Sequence, residues 1–162
     1  MQTPRRWLTA IMLVVAPAFL GAQAADSSAL KADIRRNYQE INDLAQRGQL
    51  TVKQRKCPGV APEFSLMTDR AGVIRRYVLT TGTDDSALSF QHDYDRAGRL
   101  TFVLVTYGSV HGQTYEWRLY FSPSGRVFDL IRTAGMAPFN EALLWKYVTS
   151  APAIDWKSNW CP

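Results

Sequence analysis

Two cysteines and two histidines in 162 residues leave little material for metal or redox chemistry. Two thiols complete neither a zinc ribbon nor a dense disulfide framework, and no Cys-x-x-Cys pair occurs. His-Glu-x-x-His, a glycine-rich phosphate loop and a Gly-x-Ser-x-Gly nucleophile elbow are all missing. After residue 24 no apolar run reaches the length that spans a bilayer. The excess of one charge is small as well, with 19 Lys+Arg against 14 Asp+Glu. These absences predict no metal, no cofactor and no nucleic-acid partner. What remains is 46% hydrophobic and 20% charged, an ordinary globular composition, which excludes bulk disorder and collagen-like or coiled-coil character.

The first 24 residues read as a secretory signal peptide. Arg5 and Arg6 precede an apolar stretch from Trp7 to Leu20, and no acid occurs before Asp26. Ala22-Gln23-Ala24 then places small side chains at both positions a signal peptidase must accept. The apolar stretch is short for an uncleaved anchor, and no cysteine stands near the cleavage point to carry a lipid. Residues 1–24 are therefore expected to leave, and 25–162 to form one domain, periplasmic or secreted, with no stable membrane insertion. Cleavage removes two arginines and no acid, so part of the basic balance belongs to the leader.

Export gives the thiols a meaning, because Cys57 and Cys161 would mature in an oxidising compartment. They are too far apart in sequence for a redox-active pair, and one disulfide between them would tie the tail to the first third of the domain.

Leu30, Ile34, Tyr38, Ile41 and Leu44 recur at helical spacing between Ser27 and Arg47, while Lys31, Arg35, Arg36, Glu40, Asp43 and Arg47 read as a solvated face. The middle of the chain reads as sheet. Phe64–Met67, Val73–Thr80, Ala87–Tyr94, Leu100–Tyr107, Thr114–Phe121 and Val127–Thr133 are short β-branched and aromatic runs with turn residues between them. The basic stretch before Cys57 reads as a short strand or an ordered loop. In Ala87–Tyr94, Leu88, Phe90, His92 and Tyr94 alternate against Ser89, Gln91 and Asp93. Leu100–Tyr107 is apolar on both faces and is expected to lie centrally with both sides covered. Near the end, Leu143, Leu144, Tyr147 and Val148 share a helical face between Pro138 and Pro152.

Asp69-Arg70-Ala71-Gly72, Asp95-Arg96-Ala97-Gly98 and Ser122-Pro123-Ser124-Gly125 recur at near-equal intervals. Each has a polar start that can bond the turn's own amides and a glycine free to take positive φ, so two strands per interval predict stacked hairpins in one meander rather than a propeller. The aromatic-Asp-x-x-Gly element at Tyr94–Gly98 resembles turns in bacterial envelope repeat proteins, over those few residues alone. The expected fold is α+β: an N-terminal helix on a twisted antiparallel β-meander of about five or six strands, then a short C-terminal helix and a disulfide-tied tail. That layout resembles cystatin-like and nuclear-transport-factor-like architectures, an analogy of fold that carries no function.

Candidate chemistry is sparse. His92 points away from its nearest carboxylate, Asp93, and Asp84 and Asp85 sit in a turn; a metal or acid–base site there is the lesser reading. His111 shares a loop with Ser109 but lacks an orienting third group. Arginine far outnumbers lysine, and several arginines fall in or beside strands among tyrosines. An exposed sheet face bearing Arg75, Arg76, Tyr77, Tyr107, Arg118 and Tyr120 would suit a protein interface. The function expected is thus an exported, non-catalytic binding protein of a bacterial-type cell envelope, inhibitor- or immunity-like, using that sheet face or the cleft between sheet and helix. One alternative is a small-ligand carrier with a pocket formed by Phe90, His92, Phe102, Trp117 and Leu119. Another is a small hydrolase using His92 or His111.

Overall fold

In a computed structural model that describes residues 19–57, 62–133 and 141–157, seven strands pair in chain order into one open antiparallel sheet. Helix α1 (Phe19–Gln46) comes first. The strands follow as β1 (Thr51–Lys56), β2 (Glu63–Thr68), β3 (Ile74–Thr83), β4 (Ser86–Tyr94), β5 (Leu100–Ser109), β6 (Thr114–Phe121) and β7 (Val127–Arg132). Two short helices, α2 (Glu141–Tyr147) and α3 (Pro152–Lys157), complete the described chain. The α+β class and the single meander are as the sequence predicts.

The strand count is not. Residues 51–56 form a full edge strand, paired with β2 from Thr51–Thr68 to Lys56–Glu63. Of the two readings of this basic stretch, short strand or ordered loop, the strand is the one that forms; its polar composition leaves both open, because an exposed edge needs no apolar face and is often guarded by lysine. The C-terminal region also differs, with two helices where one was expected. Pro152 begins α3 rather than merely ending α2, since a first-turn proline gives up no helical hydrogen bond. Cys57 is buried, whereas the expected staple involves Cys161, which lies outside the described residues.

The three repeated turns are equivalent. Gly72, Gly98 and Gly125 adopt φ of 80, 76 and 78°, and each N–H donates to the carbonyl of the residue that opens the turn, at 2.8–2.9 Å. Asp69 and Asp95 each accept two further amide bonds through Oδ1. All three turns join strands at the same end of the sheet, and α1 crosses that end.

Two cores flank the sheet. On one face Phe64, Leu66, Tyr77, Leu79, Phe90, Val103, Val105, Trp117 and Leu119 are buried, with Leu144, Tyr147, Val148 and Trp156 from the C-terminal segment packed against them. On the other face Ile34, Phe102 and Tyr120 form a smaller core with Leu30, Tyr38, Leu104 and Phe128. Strand β5 therefore has both sides covered only over its first half, because α1 covers only one end of its face; Leu104 and Thr106 remain half-buried.

Candidate functional site

Helix α1 carries polar residues just beside its apolar stripe, and these meet the sheet rather than water. Asn37 Oδ1 accepts from Arg75 Nη2 at 2.9 Å, and Asn42 Oδ1 accepts from Arg76 Nη1 at 2.9 Å. Arg76 also donates to both oxygens of Asp93, Nε to Oδ1 at 2.6 Å and Nη2 to Oδ2 at 2.8 Å. Burial pushes the Asp93 carboxyl up, and the Arg76 guanidinium pulls against that shift. Arg75 reaches Glu40 at 3.4 Å and Asp69 at 3.6 Å, and its Nε donates to the Tyr94 carbonyl at 3.4 Å. Burial pushes the Glu40 carboxyl up as well, but Arg96 and Arg75 outweigh it and hold the group below its ordinary value. Lys31 pairs with Asp129 nearer the helix start. These polar contacts fix α1 on the sheet at several points along its length.

Beside the helix the contact leaves a cleft of about 200 Å³. Ile34, Tyr38, Phe102, Leu104 and Tyr120 give it an apolar and aromatic lining, with Arg35, Arg118 and Glu116 as its charged members. Tyr38 stands edge-on to Phe102 at 5.5 Å between ring centroids, and Phe102 meets Tyr120 at 5.1 Å. The Arg76 guanidinium lies 5.5 Å from the Tyr38 ring centroid, so the buried ion pair backs the cleft wall. Arg118 donates to Glu116 at 2.5 Å. Arg35, exposed, has no ion pair or hydrogen bond among the described residues.

From the cleft the same sheet face continues outward. One cross-strand row runs Ser65, Val78, Gln91, Leu104, Arg118 and Ile131; the next runs Glu63, Thr80, Ser89, Thr106 and Glu116. All of these are half-buried or exposed, in contrast to the buried rows on the opposite face.

The expected Arg/Tyr interface does not form as one surface. Arg75 and Arg76 are 1% and 7% exposed, and Tyr77 and Tyr120 are buried too. The two-residue period of a strand puts Arg76 and Tyr77 on opposite faces, so they cannot share a patch. Tyr107 is half-buried against Tyr115, on the face opposite Arg118. Of the six residues, only Arg118 is exposed, and it borders the cleft.

The expected ligand pocket is likewise occupied by packing. Phe90, His92, Trp117 and Leu119 are buried beneath the C-terminal segment, with the Phe90 ring 5.1 Å from that of Tyr147, and Phe102 belongs to the other face. His92 has Nδ1 at 3.2 Å from the Tyr77 carbonyl and Nε2 at 2.9 Å from the Tyr147 carbonyl. A neutral ring has one N–H and so donates to one of these two carbonyls. Burial lowers the His92 pKa to about 4, against the pull of those carbonyls and of Asp155. Burial, and then the charge of Asp155, pushes Tyr77 up to about 12. Tyr94, raised by burial, donates from its hydroxyl to the Thr149 carbonyl at 2.9 Å. The group therefore joins sheet to tail through uncharged side chains. His111 sits exposed in the β5–β6 turn beside Ser109, whose Oγ accepts from the Gln113 amide at 3.3 Å.

Sequence reading misses Arg35, Tyr38, Leu104 and Glu116 as a set. Arg35 looks solvated, Tyr38 looks like core, and nothing in the sequence says how far along the sheet α1 reaches. Among the described residues no three His, Cys, Asp or Glu side chains gather as a metal set, and no helix is long and apolar enough to cross a membrane. No family model, curated protein or solved structure matches the chain.

Proposed function

We propose that the mature chain is an exported, non-catalytic binding domain of the cell envelope that holds another protein at the α1–sheet cleft and the open sheet face beside it. The observation that carries this reading is the cleft itself: aromatic rings packed against one another, backed by a buried ion pair, and bordered by an arginine with no ion pair or hydrogen bond among the described residues. Tyrosine and arginine around a preformed recess are the side chains that anchor protein interfaces, because they bring large contact area with few rotatable bonds. Inhibitor- or immunity-type occupation of an envelope enzyme is the concrete form of the proposal.

Residues 1–24 act in this account as the leader, leaving a periplasmic or secreted domain. A Cys57–Cys161 disulfide closes the tail against the sheet. Its support is local: Arg55, two residues before Cys57, donates to the Trp156 carbonyl at 2.7 Å and lies 4.8 Å from the Trp156 ring centroid. That contact brings the chain five residues before Cys161 next to β1.

The test is affinity capture from an envelope extract with the oxidised mature domain and two variants. Leu104→Arg and Arg35→Glu should each lose the captured protein while Ile154→Arg, in the exposed part of α3, keeps it. Capture unaffected by the two cleft variants would overturn the proposal.

A further inference from the structure

We infer that the cleft takes an apolar side chain with a carboxylate beside it, supplied by an extended segment of the partner protein; this rests on the binding role proposed above and specifies its chemistry. Three observations lead there. The recess, about 200 Å³, has room for one large side chain and its immediate neighbours but not for a helix. Its lining is Ile34, Phe102 and Leu104 with the rings of Tyr38 and Tyr120, which suits an aromatic or branched aliphatic group.

The charge beside this lining is unbalanced. Glu116 already holds Arg118 at 2.5 Å, so that pair is internally neutralised. Arg35 is the lining residue left with a full positive charge and no acceptor among the described residues. A carboxylate two residues from the inserted side chain, on the same face of the extended segment, supplies that acceptor, in the planar two-oxygen form a guanidinium binds best. A cationic segment would instead meet Arg35 with like charge, and Glu116 would have to leave Arg118 to receive it. The open row beyond the cleft carries Ser89, whose Oγ accepts from the Thr80 hydroxyl at 3.3 Å and keeps its own O–H to donate, and the half-buried Thr106, both able to bond the backbone of the segment.

The experiment uses two capped peptides differing in one group, acetyl-Ala-Glu-Ala-Phe-Ala-amide and its Gln counterpart, in which the carboxylate and the ring share one face of an extended chain, titrated into the isotope-labelled mature domain by NMR. N-acetylphenylalanine serves as a small-molecule control. The Glu peptide should bind about fivefold tighter than the Gln peptide at low salt. Shifts should centre on Ile34, Leu104, Tyr38 and Tyr120. In Arg35→Gln the two peptides should bind alike, with the weaker affinity. Equal affinities in the unaltered protein, shifts centred elsewhere, or no binding by either peptide would overturn the inference, as would binding of N-acetylphenylalanine alone. Such failure leaves the protein-capture result intact, since Leu104→Arg would still abolish capture if the cleft binds a partner of other chemistry.

Discussion

Arg76 on β3 and Asp93 on β4 face each other across the strand pair and share two hydrogen bonds, at 2.6 and 2.8 Å, beneath α1. Asp93 is fully buried and Arg76 nearly so. Burying both charges costs solvation, and the pair recovers it only while both partners and the Asn42 bond are in place. Arg76→Met or Asp93→Leu alone should therefore cost about 3–5 kcal/mol in a urea unfolding titration, whereas the double variant should recover most of that loss. Single variants that unfold like the unaltered protein would show that this pair does not hold α1 in place.

His92 predicts an acid limb to stability. Its pKa is about 4 in the fold against 6.5 for a free imidazole, so protonation favours the unfolded chain. The contribution is fully present above about pH 6.5 and is lost as the pH falls from there toward 4. Its size is about 3 kcal/mol. Urea midpoints measured from pH 7 to 4 should fall less steeply in His92→Gln, although that variant starts from lower stability. Parallel curves would place the acid sensitivity elsewhere.

The proposed Cys57–Cys161 staple closes a loop of roughly a hundred residues, worth up to about 4.7 kcal/mol when unstrained. Thiol labelling of the unfolded, unreduced exported protein should find no free cysteine. Reduction should lower the unfolding midpoint and leave Trp156 more open to solvent, read as a change in its fluorescence. Two labelled thiols in the exported protein would remove the staple from the account.

Cleavage of the proposed leader should leave the docking of α1 unaltered. The contacts of Leu30 and Lys31 with the sheet lie past the expected cleavage point. The exported protein should begin at Ala25 by N-terminal mass analysis, and a chain produced from Ala25 should refold with the same melting temperature. Loss of several degrees on refolding would mean that earlier residues help to hold the helix.

Much of this architecture is legible in the residues because it rests on local periodicity. The strand pattern of Thr114–Phe121, the helical stripe from Leu30 to Leu44 and the glycine-ended turns each depend on a few neighbouring side chains. Strand β1 stays ambiguous with a loop because an edge strand needs neither an apolar face nor a turn signature. The Arg75–Arg76 pair is misread for a different reason. Arginine in a strand is normally a surface residue, and burying two requires Asn37, Asn42, Glu40 and Asp93 to arrive from other elements. The cleft is less legible still, since its lining joins one helix to two strands and depends on where α1 stops covering the sheet.

The most direct test of the proposed binding site places a photo-activatable amino acid at position 104 of the full-length chain, and in a second version at position 154, in cells that produce the protein. Leu104 lines the cleft, and Ile154 is an exposed α3 residue outside its lining. Irradiation should give one discrete protein adduct from position 104 and none from position 154, and Arg35→Glu should weaken that adduct. Adducts from position 154 alone, or none from position 104, would contradict the cleft as the site where this domain holds its partner.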